Sequence, residues 1–182
     1  MRKYCFLLLF LTIATITSIA QTSFGGSATL LLSGAGTAST TVLSSDKLWS
    51  DIDMGQQKWN FRLKTPMLAQ NATSQQITVL GDVLNYNSFG FVLVALDYQN
   101  TGWDLTQNFS QQNVTLPYTL KYGNQTTQGT ATVNLNKQGN QITFDLSLNW
   151  DITSVGLSVG NHTDICSDIL TFSVQNGVVN GR

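Results

Sequence analysis

Two side chains with catalytic potential lie near the C-terminal end of the sequence. His162 is the only histidine, and Cys166 follows it four residues later. A thiolate and an imidazole can act together as a nucleophilic pair, but four residues of strand span about 13 Å, which would separate them. A turn would let them approach, although no third group that would orient the imidazole is recognisable. We therefore predict no catalytic residue from this pair.

Carboxylates offer two further kinds of chemistry, and every acidic residue of the chain is Asp. Asp46, Asp51 and Asp53 are close enough in sequence to suggest calcium, which prefers oxygen ligands. Their spacing does not match an EF-hand loop, so we predict a solvated loop, no metal and no other cofactor. Asp145 and Asp151 leave open a hydrolase that uses two carboxylates.

An aromatic pair suggests a binding role. Trp103 lies in a long polar loop, residues 99–113, and Tyr98 immediately precedes this loop. Long loops on rigid sheets often carry binding residues, and the two rings could stack on a sugar. The alternative is that Trp103 closes one end of the hydrophobic core. Both interpretations remain open at this stage.

Strands are the elements that would position these residues. Between Gln141 and Trp150, apolar and polar side chains alternate strictly, which predicts a strand with one buried and one solvated face. The same pattern recurs from Lys58 to Leu63, and residues 136–140 form the loop of a predicted hairpin. Short strands are also predicted at residues 76–80 and 154–157, and no helix is predicted. We expect an all-β fold, an antiparallel β-sandwich of the immunoglobulin-like or jelly-roll type with nine or ten strands.

The N-terminus predicts export. Arg2 and Lys3 precede an apolar run, and small residues before Gln21 suit a cleavage site, so residues 1–20 are predicted to be a signal peptide. The alternative is an uncleaved membrane anchor, for which the apolar run is short. Residues 21–45 form a Gly-, Ser- and Thr-rich segment with a possible edge or donor strand. Residues 46–182 are the predicted sandwich domain.

Charge and cysteine content exclude several classes of protein. Without Arg2 and Lys3, seven basic residues face ten Asp, a net charge of −3, and no basic patch suggests nucleic acid as a partner. Cys166 is then the one remaining cysteine, predicted to be a small buried hydrophobe, so no intramolecular disulfide can form. Five sequons could accept N-linked glycans in a suitable host, at Asn71, Asn108, Asn113, Asn124 and Asn161.

The segment from Val159 to Val174 resembles the closing strand of secreted fimbrial and spore-coat-protein-U-like sandwich subunits. Gly160 and the run from Ser167 to Phe172 carry this resemblance. It differs in lacking cysteine pairs and in having Asn161 and His162 where an aromatic residue is usual. The resemblance implies a surface fibre or coat subunit in which one copy completes the sheet of the next. An apolar strand containing Ala28, Leu30 and Leu32 would be the donor.

Three functional hypotheses follow from the sequence. The first is a secreted, non-enzymatic structural or adhesive subunit of a cell-surface fibre or coat, with itself or other surface proteins as partners. The second is a carbohydrate-binding module that uses Trp103 and Tyr98. The third is a secreted hydrolase that uses Asp residues. None of them includes nucleic acid, or a membrane once the signal peptide has been removed.

Overall fold

The computed structural model describes residues 24–33, 40–45, 48–69, 72–164 and 166–180, with the backbone alone over the first two ranges. In chain order, the strands are β1 (Phe24–Ser33), β2 (Thr40–Ser45), β3 (Leu48–Asp53), β4 (Lys58–Lys64), β5 (Phe91–Asp97), β6 (Phe109–Tyr122), β7 (Gln125–Gln138), β8 (Gln141–Asp151) and β9 (Ile169–Asn180). Two helices, α1 (Thr65–Leu68) and α2 (Ser74–Leu84), lie between β4 and β5. A short 3₁₀ helix, Ile152–Val155, follows β8.

The described strands form one antiparallel sheet in the order β2-β1-β9-β8-β7-β6-β5-β4-β3. The predicted two-sheet sandwich is therefore wrong. The sheet curls until Cα atoms of β1 lie within 8 Å of Cα atoms of β3, so that one continuous face is turned inward. The alternating apolar side chains must be shielded from water. Here the curvature of the single sheet brings its own strands over them, so no second sheet is needed.

The inward side of the sheet, called the inner face below, holds the hydrophobic core. The strand predicted between Gln141 and Trp150 is confirmed as β8, and all its apolar side chains are buried. Trp59, Phe61 and Leu63 of β4 are buried in the same way, as their alternation predicts. These strands therefore present one apolar face to a shared interior and one polar face to solvent.

Irregular pairing accompanies the curvature of the sheet. The register shifts between Gln111 and Val114 on β6 and between Phe144 and Leu146 on β8, where β8 meets β9. Such bulges bend a strand and increase its twist. Beside the second shift, Gly177 lies directly opposite Phe144, and the Phe144 ring occupies the space where a Cβ of Gly177 would be.

We expect Gly177→Ala to destabilise the fold by about 1–3 kcal/mol, because the added methyl group overlaps the buried Phe144 ring. Gly90→Ala is the matched control, since a Cβ at Gly90 has no atom within 4 Å. Urea unfolding of the two variants and the wild type measures the difference. Equal midpoints for Gly177→Ala and Gly90→Ala would contradict this packing.

Two predicted strands are wrong, and helical segments replace them. Residues 76–80 lie inside α2, whose N-terminus carries a capping box in which Thr73 and Gln76 exchange hydrogen bonds. Residues 154–157 overlap the 3₁₀ helix, which begins after Asp151 accepts a hydrogen bond from the Thr153 amide at 2.9 Å. Both segments are short and mix apolar with polar residues, so periodicity alone did not distinguish them from strands.

The predicted hairpin between β7 and β8 is confirmed, with a shorter turn than expected. Gln138 pairs with Gln141, which leaves Gly139 and Asn140 as the turn instead of the predicted five residues. Gly139 has φ of 55°, a value that favours glycine. The remaining residues of the predicted loop continue the β7 ladder.

The predicted donor strand lies within β1, which pairs with β2 on one side and β9 on the other. Ala28 and Leu30 are opposite Val174 and Phe172 of β9, respectively. β1 is therefore an internal strand of this chain's own sheet, and β2 stands at the end of the strand order. Exchange of the segment containing Ala28, Leu30 and Leu32 between copies stays a prediction.

Candidate functional site

The interior of the curled sheet is the candidate site, because aromatic rings occur along its whole length. They form three groups, each with ring centroids 4.5–6.0 Å apart. One group lies in the middle, one beside α2 and one at the opposite end, where the long loop follows β5. The three groups comprise Trp59, Phe61 and Phe144; Phe89, Tyr122 and Trp150; and Tyr98, Trp103 and Phe109.

The middle group joins β4 to β8 across the interior. The Phe144 ring meets the Trp59 ring edge-on, with centroids 4.5 Å apart, and lies 5.6 Å from the Phe61 ring. The Trp59 indole nitrogen donates a hydrogen bond to the buried Ser50 hydroxyl at 2.7 Å. This group is apolar except for one indole N–H, and that N–H has an acceptor.

The group beside α2 contains an unpaired donor. The Trp150 ring is fully buried and meets the Tyr122 ring edge-on, with centroids 5.3 Å apart. Its indole N–H finds no acceptor among the described residues. The Tyr122 hydroxyl, by contrast, donates to the Leu84 carbonyl at the end of α2. A buried donor without an acceptor costs about 1–3 kcal/mol, so native structures rarely retain one without a reason.

Helix α2 lies against this end of the interior through four buried apolar side chains, Val79, Leu80, Val83 and Leu84. A second contact comes from the loop before β9, in which the His162 ring nitrogen lies 2.9 Å from the Asp82 carboxylate. Helix α2 is therefore attached to the sheet by its apolar face and by the Tyr122 hydroxyl. The His162–Asp82 pair attaches it to the loop before β9.

The group at the opposite end contains the aromatic pair singled out from sequence. Tyr98 is buried and stacks on Trp103, with ring centroids 5.8 Å apart, and Trp103 is tilted against Phe109 at 6.0 Å. Burial, then the nearby Asp53 charge, raises the pKa of Tyr98 to about 12. The structure thus brings the two predicted residues together, but with their rings against each other. A glycan-binding role for them stays a prediction.

The histidine and the cysteine are not brought together. His162 pairs with Asp82, whereas the Cys166 thiol donates a hydrogen bond to the Ser167 carbonyl at 3.4 Å. Cys166 is buried and free, which confirms its predicted place in the core. Burial, then the Asp168 charge, raises the pKa of Cys166 to about 11. A thiol of this kind is a poor nucleophile at neutral pH.

The carboxylates considered from sequence serve local hydrogen bonds. Asp51 accepts from the Asn60 amide group at 3.0 Å, and Asp53 accepts from the Gln56 backbone at 2.9 Å. Asp145 accepts a hydrogen bond from the backbone N–H of Asn176 at 2.9 Å. Hydrogen bonds from Thr153 lower the pKa of Asp151, the opposite of what a general acid needs. Asp46 lies outside the described residues, among which no group of three potential metal ligands occurs.

Four of the five sequon asparagines are exposed, at positions 108, 113, 124 and 161, and Asn71 lies outside the described residues. The Asn108 side chain accepts a hydrogen bond from the Gly139 amide at 2.7 Å. Their exposure is compatible with modification, which stays a prediction.

Sequence reasoning identified most inward-facing aromatic residues but missed the unpaired indole N–H. Alternation along β8 predicts that Trp150 faces the core, yet whether its N–H has an acceptor depends on Tyr122 and on α2, which was not predicted. The capping pattern of Thr73 and Gln76 is the sequence signal that could have located that helix.

Comparison with solved structures shows the same fold in two bacterial proteins. A polyisoprenoid-binding domain from Saccharophagus degradans, implicated in plant cell wall breakdown, superposes with a TM-score of 0.66 at 11% identity, over 91% of this chain and 98% of that one. BcnA from Burkholderia cenocepacia superposes with a TM-score of 0.57 at 13% identity, over 84% of this chain and 96% of that one. At this level of identity the likeness shows the fold alone.

No protein-family model and no curated protein sequence matches the chain. Within the described ranges, no helix combines the length and the apolar character that crossing a bilayer requires.

Proposed function

We propose that this chain is a secreted, non-enzymatic binding protein that holds an elongated apolar molecule of the polyisoprenoid class inside its curled sheet. The observation that carries the proposal is the unpaired Trp150 indole N–H at one end of an interior lined by aromatic rings. The shared fold with a polyisoprenoid-binding domain supports the choice of ligand class. The signal-like residues 1–20 support export.

The interior offers an apolar chain two kinds of contact. Once parted, the three rings of the middle group would offer the ligand aromatic faces from which water is excluded, worth about 25 cal/mol for each Å² of apolar area buried. The Trp150 N–H provides one directional contact, to an oxygen at the polar end of the ligand. A terminal alcohol or carbonyl oxygen would accept this hydrogen bond and remove the cost of the unpaired donor.

Entry of the ligand requires an element that can move away from the interior. In the structure the Trp59, Phe61 and Phe144 rings contact one another, so the ligand must part them. Helix α2 is the candidate gate, because its Leu84 carbonyl accepts a hydrogen bond from Tyr122, whose ring meets Trp150, and because α2 forms no strand pairing with the sheet. Its withdrawal would break the Tyr122–Leu84 hydrogen bond and the His162–Asp82 pair.

Titration with a polyprenol, followed by tryptophan fluorescence, tests the proposal. We expect saturable quenching with the polyprenol and weaker binding of a saturated straight-chain alcohol. Trp150→Phe should bind about tenfold more weakly, because it removes one hydrogen bond and preserves an aromatic ring. Its thermal stability should fall only through the packing lost with the smaller ring, since the lost N–H has no partner in the free protein.

Trp49→Phe is the matched control, because Trp49 is exposed on the other side of the sheet. This variant should bind the polyprenol as the wild type does. An absence of saturable binding to any polyprenol, in protein that unfolds cooperatively, would refute the proposal. Equal affinity of the wild type and Trp150→Phe would refute the assigned role of Trp150.

A further inference from the structure

The outward side of the sheet, its outer face, carries a continuous row of four side chains that does not contribute to the interior. Trp49 of β3 pairs directly with Arg62 of β4, Arg62 with Leu93 of β5, and Leu93 with Lys121 of β6. We call these four residues the outer row. Directly paired residues point to the same side, with neighbouring strands about 4.8 Å apart, so the row crosses four strands as one surface.

The two apolar side chains of the outer row are unusually exposed to solvent. Trp49 has 49% of its surface exposed and Leu93 has 38%, although both are large hydrophobic residues. They border a shallow, mainly apolar depression of about 310 Å³, which Ala95 and Thr119 also line. An exposed apolar depression with a polar rim indicates a binding surface.

Positive charge is concentrated at the same place. Three of the five basic residues in the described part of the chain, Arg62, Lys64 and Lys121, lie on this part of the outer face, although the whole chain has a net charge of −1. The Arg62 guanidinium lies 3.8 Å above the Phe91 ring, which holds it at the surface. Among the residues that line the depression, Asp51 is the one carboxylate, and it already accepts a hydrogen bond from Asn60.

We infer that the outer row docks the protein on the surface of an anionic phospholipid bilayer. Trp side chains favour the bilayer interface, where the ring is in apolar surroundings and the N–H remains hydrated. Lys and Arg beside them bind headgroup phosphates and contribute about 1 kcal/mol each at an anionic surface. A neutral glycan could stack on Trp49 but would gain nothing from the charges of Arg62 and Lys121, which are exposed to solvent. An anionic bilayer would interact with both the apolar and the basic residues of the row.

Sedimentation with vesicles tests this inference. We expect the protein to pellet with vesicles of phosphatidylglycerol and phosphatidylcholine at low salt, and to remain in solution with phosphatidylcholine alone. The double variant Arg62→Gln/Lys121→Gln should bind the anionic vesicles about thirtyfold more weakly. Trp49→Ala should also weaken binding, by about tenfold, with the unfolding midpoint unchanged.

Lys58→Gln is the matched control for charge. Lys58 also lies on β4, but it pairs with Asp53 on one side and Asp97 on the other, so its charge is offset locally. This variant should bind vesicles as the wild type does. Trp150→Phe should do so as well, which separates docking at the outer row from uptake of a lipid into the interior.

Three results would overturn the inference. The first is equal binding to neutral and anionic vesicles. The second is wild-type binding by Arg62→Gln/Lys121→Gln. The third is that the protein binds soluble polyphosphate as tightly as it binds the vesicles. That result would mean that Trp49 and Leu93 contribute nothing to the affinity.

Discussion

Phe144→Ala should lower the free energy of unfolding by about 3–5 kcal/mol, the range for removal of a buried phenyl ring. Phe144 is buried, and its ring contacts both Trp59 and Phe61 from the opposite side of the interior. The backbone at Gly177 has no side chain that could fill the space, so the cavity should persist.

Urea unfolding followed by circular dichroism measures this effect. Ser147→Ala is the matched control, because Ser147 lies on β8 as well but its side chain is exposed. The control should change the free energy of unfolding by less than about 0.5 kcal/mol. A loss below about 1 kcal/mol for Phe144→Ala would mean that the aromatic group in the middle of the interior is not packed in solution.

Alternation in the sequence predicted which side of each long strand is buried. For β4 and β8 the pattern is strict, so the sequence alone predicts that Trp59 and Phe144 face the core. The pattern does not specify what covers that core. A second sheet and the curl of one sheet bury the same residues, and the choice depends on strand order and on bulges such as the shift at Phe144.

The candidate site was predictable only in part for the same reason. The inward direction of Trp150 follows from alternation, but its unpaired N–H depends on neighbours that are distant in sequence. Arg62 and Lys121 each appear in the sequence as an isolated charge on a polar face. Only the pairing register places them in one row with Trp49, which is why a membrane was not among the predicted partners.

Stability should fall steeply as the pH rises from 10 to 12, because three tyrosines are buried. Burial raises the pKa of Tyr98 to about 12 and raises the pKa values of Tyr118 and Tyr122 above the ordinary 10. The Tyr118 hydroxyl donates to the Asn149 carbonyl at 2.6 Å, and the Tyr122 hydroxyl donates to the Leu84 carbonyl. Deprotonation removes both donors and leaves a charge in apolar surroundings.

The direction in which the free energy of unfolding changes with pH follows from the number of protons bound in each state. Well below the ordinary tyrosine pKa of 10, the three tyrosines are protonated in both states, so their contribution is constant. Above pH 10 the unfolded chain releases protons that the folded chain retains, so the free energy of unfolding falls as the pH rises. Tyr98 alone should contribute a loss of about 2 kcal/mol by pH 12.

Urea midpoints between pH 8 and pH 12, measured in a Cys166→Ala background, test this expectation. The background is needed because the raised pKa of Cys166, about 11 against an ordinary 9, acts in the same direction. In this background, Tyr98→Phe should have a shallower decline than the chain with Tyr98 intact, because one titrating group is gone. A flat profile across this range would mean that the tyrosine hydroxyls reach solvent in the folded protein, and that the curled sheet is open where the structure has it closed.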